Sequence, residues 1–216
     1  MSLDGAAAVI LGAGSHAQML SRFLGRIGYD IRGYITNAEP DEGLTWLGRD
    51  VDLKGLLTSQ DLVFNGIGSI RDTTARKSAF LAAKSVGARF GSFFHTTSIV
   101  DVDANLQEAA QVLAGVIIQP SSTIGSNVLI NTGAIIEHDV IVGDHCHIAP
   151  GVCLCGGVNV QSGAHIGAGA LVLQDICIGK DVVIGAGAVI RRDVPDHTVM
   201  VGNPARQIPW PTTSSA

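Results

Sequence analysis

The sequence predicts a small α/β unit followed by a parallel β-solenoid, and three observations carry that expectation. Between residues 7 and 90, short apolar runs alternate with amphipathic stretches of helical spacing. From Val100 onward the apolar period changes to six. The composition suits closely stacked backbone, with 27 Gly among 216 residues, 5% aromatic and 15% charged, since a core anchored on aromatic rings carries more of them.

In the first regime, Ala7-Ala8-Val9-Ile10-Leu11 reads as a buried strand that runs into the turn Gly12-Ala13-Gly14-Ser15-His16. Met19, Leu20, Phe23, Leu24 and Ile27 then recur at helical spacing over 16–27. Further strands are expected at 31–35 and 61–64, and a second helix over 72–86. Strand–helix alternation of this kind implies a parallel sheet. A Gly-x-Gly turn between strand and helix lets backbone N–H groups approach a phosphate, although the same turn also serves as a plain strand–helix connection. Ala17 stands at the third glycine position, and no acid marks an adenine ribose after the second strand. A full dinucleotide fold also needs more than about 85 residues. NAD is therefore not expected.

In the second regime, Val100, Leu106, Val112, Ile118, Ile124, Ile130, Ile136, Val142, Ile148, Leu154, Val160, Ile166, Val172, Ile178, Ile184 and Ile190 form sixteen consecutive aliphatic positions, six apart. Four residues after each stands a small or aliphatic residue, such as Ala134, Val140, Cys146, Val152 and Ala188. A helix repeats at 3.6 and a simple strand at 2, so neither explains the series. Three short strands per coil, each about one hexad long, do explain it. Eighteen residues then close one coil, and the series makes about five coils of a parallel β-helix. It breaks at Asp196, where the solenoid is expected to end. The domains expected are 1–91, Rossmann-like, and 92–216, the β-helix with a C-terminal tail. The hexads alone do not set handedness; right-handed crossovers are the general rule for parallel strands.

Charge and hydropathy narrow the function. Fourteen Lys and Arg against nineteen Asp and Glu give −5, which argues against a phosphate-backbone binder and so against a nucleic-acid partner. No run of about 18 apolar residues exists, so no membrane span is expected. Asp4 occupies the place where a signal peptide carries Lys or Arg. Cys146, Cys153, Cys155 and Cys177 lack C-x-x-C spacing. Reduced thiols and a cytoplasmic location are the expectation. Cys153 and Cys155 flank Leu154, but the coil register places no His beside them for an acyl-cysteine route.

His138 follows Ile136 by two places, on an outward position between Glu137 and Asp139. Eighteen residues later, one coil up, stands Gly156 beside Gly157, which leaves room for a ligand over the imidazole. A His beside a carboxylate is what a general base needs, because the acid selects the tautomer and raises basicity. By spacing alone the run reads equally as a solvated Glu-His-Asp patch. His147 and His165 are eighteen apart, so their side chains are expected to stack about 4.8 Å apart, one strand spacing up the solenoid.

The segments GAGSHA, GIGSIRD, FFHTTSIV, NTGAIIEHD and VGNPARQI occur in that order. Together, over roughly 7–208, they resemble the NeuD/PglD-type sugar acetyltransferases of the hexapeptide-repeat class. The resemblance implies a left-handed solenoid, acetyl-CoA as co-substrate, and a nucleotide-linked amino (dideoxy) sugar as acceptor. The family's base falls on His138 and its basicity-enhancing acid on Asp139. Its acetyl-CoA contacts fall on His147, Ala168 and Ala186, and its nucleotide-sugar contacts on Gly14, Ser15, His16, Thr36, Asn37 and Gly68. Ser15 stands where Gly is usual, and Thr36-Asn37 replace a frequent acidic pair, which leaves the sugar and base open. The rival readings are O-acetylation of a sialic acid or similar hydroxyl, a non-catalytic nucleotide-sugar-binding scaffold, and a zinc hydratase. A zinc hydratase on this solenoid would follow the gamma-class carbonic anhydrases, which need a His pair plus one about two coils earlier. His145 and His147 lack that third His, since none lies between His95 and His138. No metal is therefore expected.

A homotrimer is expected, with acetyl-CoA lying between neighbouring solenoids as in similar transferases. Gly151, Val152, Cys153, Gly163, Ala164, Ala168 and Gly169 read as outward positions without charge, and no Lys or Arg lies between Ile141 and Ile178. Monomers rarely leave so much small apolar surface wet, and cyclic closure buries it.

Overall fold

Strand β1 (Ala7–Leu11) lies inside a four-stranded sheet ordered β3-β2-β1-β4, with β2 at Asp30–Ile35, β3 at Trp46–Gly48 and β4 at Leu62–Asn65. All three pairings are parallel. Ala8, Val9 and Ile10 are fully buried, as a continuous apolar run on an interior parallel strand should be. Helix α1 (Ser15–Arg26) follows the glycine turn and buries Ala17, Leu20 and Leu24. Helix α3 (Thr74–Ser85) buries Arg76, Phe80 and Ala83. These elements fall within two residues of the sequence expectation at either end. Strand β3, the 3-10 turn Asp50–Asp52 and the short helix α2 (Leu53–Leu56) were not foreseen, because three- and four-residue elements carry no readable period. The structure, a computed structural model, describes residues 7–37, 39 and 43–209.

The solenoid is built from two-residue strands that recur every six residues from Ile99–Val100 to Val189–Ile190. They stack in parallel into three sheets, contributing five, six and five strands; Phe93–Phe94 and two C-terminal strands bring the last of these to eight. Partners are eighteen residues apart: Ile136 pairs with Leu154, and Ile148 with Ile166. The second residue of each strand points inward, so Val112, Ile130, Ile148, Ile166 and Ile184 form one fully buried column. The residues four places on, among them Ala134, Val140, Cys146, Val152 and Ala188, fill the core between the sheets.

The ladder is shorter than a hexad because the other residues turn the corner. At each corner one residue takes a positive φ: Ala109, Gly115, Ser121, Asn127, Gly133, Asp139, His145, Gly151, and so on every sixth residue to Gly187. Glycine, Asn and Asp tolerate this left-handed conformation best, and seven of the 27 glycines stand at these corners.

Two sequence expectations change. Val152 and Ala164 are fully buried core residues and Gly163 is also buried, so they do not belong to the outward surface. Nor does the solenoid end at Asp196: Val199–Val201 continues the eight-stranded sheet in parallel, and Arg206–Ile208 closes it antiparallel. In this last coil Val194 bridges Ile178 and Met200 pairs with Ile184, sixteen residues apart instead of eighteen. Losing two residues at the corners breaks the sixfold count without breaking the stack.

By contacts the chain forms two units. One takes the chain up to Ser69 together with Thr74–Phe93, and the other takes Ile70–Thr73 and the chain from Phe94 on.

Candidate active site

His138 occupies the corner between the strands Ile135–Ile136 and Ile141–Val142. Asp139, the next residue, takes the left-handed corner conformation at φ 60°. Its N–H donates to Pro120 O at 3.2 Å, one coil below, while Gly157 N–H donates to His138 O from one coil above. With the backbone held on both sides, Asp139 Oδ2 lies 2.8 Å from His138 Nδ1. Both side chains are 65% exposed. The His138 pKa is raised, chiefly by that hydrogen bond and also by the charges of Asp139, Glu137 and Asp175. Asp175 stands two coils above Asp139 in the corner column; the interval of thirty-six residues was a legible signal that went unused. Gly156 is indispensable to the arrangement. A Cβ there would sit 2.6 Å from His138 Cε1 and 2.7 Å from Nε2, so the ring occupies the volume that any other residue would fill.

His147 and His165 pair across adjacent strands with ring centroids 4.9 Å apart, edge to face. His147 is 6% exposed and Asn131 Nδ2 approaches its Nε2 at 3.4 Å. Burial lowers the His165 pKa. His145 is buried, with Asn127 Nδ2 3.1 Å from its Nδ1. Among the described residues, no group of three His, Cys, Asp or Glu is placed to hold a metal ion. The four cysteines are free. Burial pushes the Cys146 thiol up to about 12 and also raises Cys153, the opposite of what a nucleophilic thiolate needs. Ala168 and Ala186 are both exposed at corners, and Gly187 N–H donates to Ala168 O at 2.8 Å, so these corners stack directly.

In the α/β unit, six sequence-predicted residues gather at the carboxyl edge of the sheet, where parallel sheets bind ligands. Gly12 N–H donates to Ile35 O and Gly66 N–H to Leu11 O, which draws the ends of β1, β2 and β4 together. Gly14, Ser15 and His16 follow β1, Thr36 and Asn37 follow β2, and Gly68 follows β4. Gly14 caps α1 with nothing within 4 Å of its missing Cβ, so a ligand can approach the helix N-terminus closely. Two residues here were missed. Arg76, fully buried on α3, donates Nη1 hydrogen bonds to Asn65 O and Ile67 O, both at 2.9 Å. Burial brings its pKa down to about 9, and the guanidinium pins the loop that leads to Gly68. Asp50, after β3, accepts a hydrogen bond from Asn37 Nδ2 at 3.1 Å. No helix among the described residues is long and apolar enough to cross a membrane.

A hexapeptide solenoid with an exposed His–Asp corner is the architecture of an acyltransferase, and the comparisons agree. The bacterial transferase hexapeptide family (six repeats) matches residues 121–156. The chain is similar to perosamine N-acetyltransferase from Caulobacter crescentus, solved with CoA and GDP-perosamine, at 32% identity and a TM-score of 0.88, covering 97% of this chain and 100% of that one. That enzyme has also been solved with a histidine replaced by Asn or by Ala, again with CoA and GDP-perosamine. The acetyltransferase domain of PglB from Neisseria gonorrhoeae, solved with acetyl coenzyme A, is 26% identical with a TM-score of 0.86, covering 94% of this chain and 98% of that one. No curated protein matches the sequence. The chain belongs to the NeuD/PglD-type sugar acetyltransferases of the hexapeptide-repeat class, and its solenoid is the left-handed β-helix of that class.

Proposed function

We propose that the protein transfers acetyl from acetyl-CoA to the amino group of a nucleotide-linked amino sugar, with His138 as general base. The observation that carries this reading is the 2.8 Å contact between His138 Nδ1 and Asp139 Oδ2. A neutral imidazole that donates Nδ1–H to the carboxylate keeps its lone pair on Nε2. Nε2 accepts an N–H proton as the amine nitrogen bonds to the thioester carbonyl carbon. Asp139 holds the ring and stabilises the imidazolium. His138 then returns the proton to the departing thiolate, so amine and thioester become amide and thiol with the enzyme unchanged. Backbone N–H groups of the neighbouring coil carry the charge that develops on the carbonyl oxygen.

The residues available suit acetyl-CoA. The stacked corners at Ala168 and Ala186 make a smooth track for a thin pantetheine arm, and His147 is the third proposed contact. A cavity of about 310 Å³ near the end of the same unit is lined by Arg191, Arg192 and Arg206, cations suited to a nucleotide's phosphates. The nucleotide sugar is assigned to Gly14, Ser15, His16, Thr36, Asn37 and Gly68. The CoA and GDP-perosamine bound to the Caulobacter enzyme support these two classes of ligand. We take the working form to be a homotrimer in the cytoplasm, and free cysteines suit a reducing compartment.

Thiol release from acetyl-CoA with GDP-perosamine and with UDP-linked amino sugars tests the reading. His138→Asn and His138→Ala should each lose about 10²–10⁴ in rate with the melting temperature kept. Near-full turnover by a folded variant would remove His138 from the role. Acetylation of sugars that carry hydroxyls but no amine would move the enzyme to O-acetylation.

A further inference from the structure

The mechanism above gives Asp50 nothing to do, yet its surroundings are those of a ligand contact. Asp50 opens the 3-10 turn that follows β3, and Asn37, at the end of β2, donates to its Oδ2. Both line a cavity of about 360 Å³ whose other walls include Leu11, Leu53, Ile67 and Ala79. A slot that is apolar apart from Asp50, Asn37 and Ser78 suits a flat heteroaromatic ring better than a sugar or a phosphate, which needs donors all round. The slot shares the carboxyl edge of the sheet with the Gly12-Ala13-Gly14 turn, where phosphates are expected. Burial raises the Asp50 carboxyl and the Asn37 bond lowers it, so further donors from a ligand would favour the carboxylate.

We propose that Asp50, oriented by Asn37, reads the base of the nucleotide sugar and selects guanine. The inference rests on the nucleotide-sugar reading of this edge and adds the identity of the base. Guanine presents N1–H and the N2 amino group side by side, two donors matched to the two oxygens of one carboxylate. Uracil presents a single N3–H between two carbonyl oxygens that face the carboxylate with like partial charge. Adenine and cytosine each place a ring-nitrogen acceptor beside their amino group. Asn37 occupies one lone pair of Oδ2 and sets the plane of the carboxylate, which leaves Oδ1 and the other Oδ2 lone pair for the base.

Titration calorimetry on the full chain with GDP, inosine diphosphate and UDP tests this directly. Inosine diphosphate keeps N1–H and lacks only the N2 amino group. The wild type should bind GDP tightest, inosine diphosphate about 10- to 150-fold more weakly for one lost bond to a charged group, and UDP more weakly still. Asp50→Asn should bring GDP to within about 3-fold of inosine diphosphate, while UDP binds no more weakly than to the wild type because the repulsion of its carbonyls is relieved. Equal wild-type binding of GDP and inosine diphosphate, or a preference for UDP, overturns the proposal. So does a variant that weakens all three nucleotides equally, which would make Asp50 a loop-holding residue. If the wild type binds none of them, the nucleotide-sugar reading itself fails. That result is distinct from binding without base selection.

Discussion

Two neighbouring residues, proposed as base and orienting acid, meet because of where the backbone bends. Asp139 takes a positive φ that Asp accepts at modest cost, and that bend turns its carboxylate onto the Nδ1 side of His138. The imidazole lies where Gly156 lacks a side chain. The backbone of Gly156 is not left-handed, so Ala is tolerated there apart from its contact with the ring. Gly156→Ala should therefore leave the melting temperature nearly unchanged and cost about 10²-fold in kcat, as a misplacement near 1 Å does. An unaltered kcat would show that the ring need not sit against that glycine. The base also sets the acid limb of the pH profile. As the proposed base His138 must be unprotonated to accept a proton, and its pKa is raised above the ordinary 6.5. Activity should thus fall away on the acid side through an inflection above that value. In Asp139→Asn the largest raising influence is gone, so the inflection moves to lower pH while the maximal rate drops. An inflection that stayed in place or moved upward would contradict the pairing.

At the scale of the element, the corner does the work that strands do elsewhere. Each hexad spends two residues on a ladder and the others on a turn, so columns eighteen apart line up side chains with the regularity of a sheet. The same columns that stack Ile148 on Ile166 in the core stack His147 on His165, and they bring the corners at Ala168 and Ala186 together outside. Small side chains on successive corners leave a track free of obstruction. Ala168→Trp should raise the KM for acetyl-CoA about tenfold or more and leave the KM for the nucleotide sugar nearly as it was, since a bulky side chain costs affinity only where it clashes. The opposite order in steady-state kinetics would place the arm on another face.

For the whole molecule, the charge pattern outside the solenoid argues for company. Gly151, Ala168 and Gly169 stay exposed at one corner, and Ile141 on the five-stranded sheet is 47% exposed. Burying such surface in a closed ring is the usual solution. Light scattering should give about three times 22.3 kDa. If acetyl-CoA lies between solenoids, mixing His138→Ala subunits with Ala168→Trp subunits should restore a fraction of active sites, because some sites then receive an intact base and an intact track from different chains. A fully active monomer would refute the shared site.

The sixfold series alone was enough to read the solenoid, because a period of six can satisfy only a coil of three short sides that buries one residue per side. The strand–helix alternation likewise exposed the parallel sheet, and Gly156 over His138 followed from counting eighteen. Three things needed the tertiary structure. The shortened last coil escaped a strict count because turns can lose residues while the backbone ladder continues. Val152 and Ala164 went to the wrong side because small residues suit the inside and outside of a corner equally. Asp50 and Arg76 were invisible because neither lies in a repeat. Partners thirteen and eleven residues away, reached through a three-residue strand or a buried helix face, leave no periodic trace, and only the folded chain brings Asn37 to Asp50 and Arg76 to Asn65.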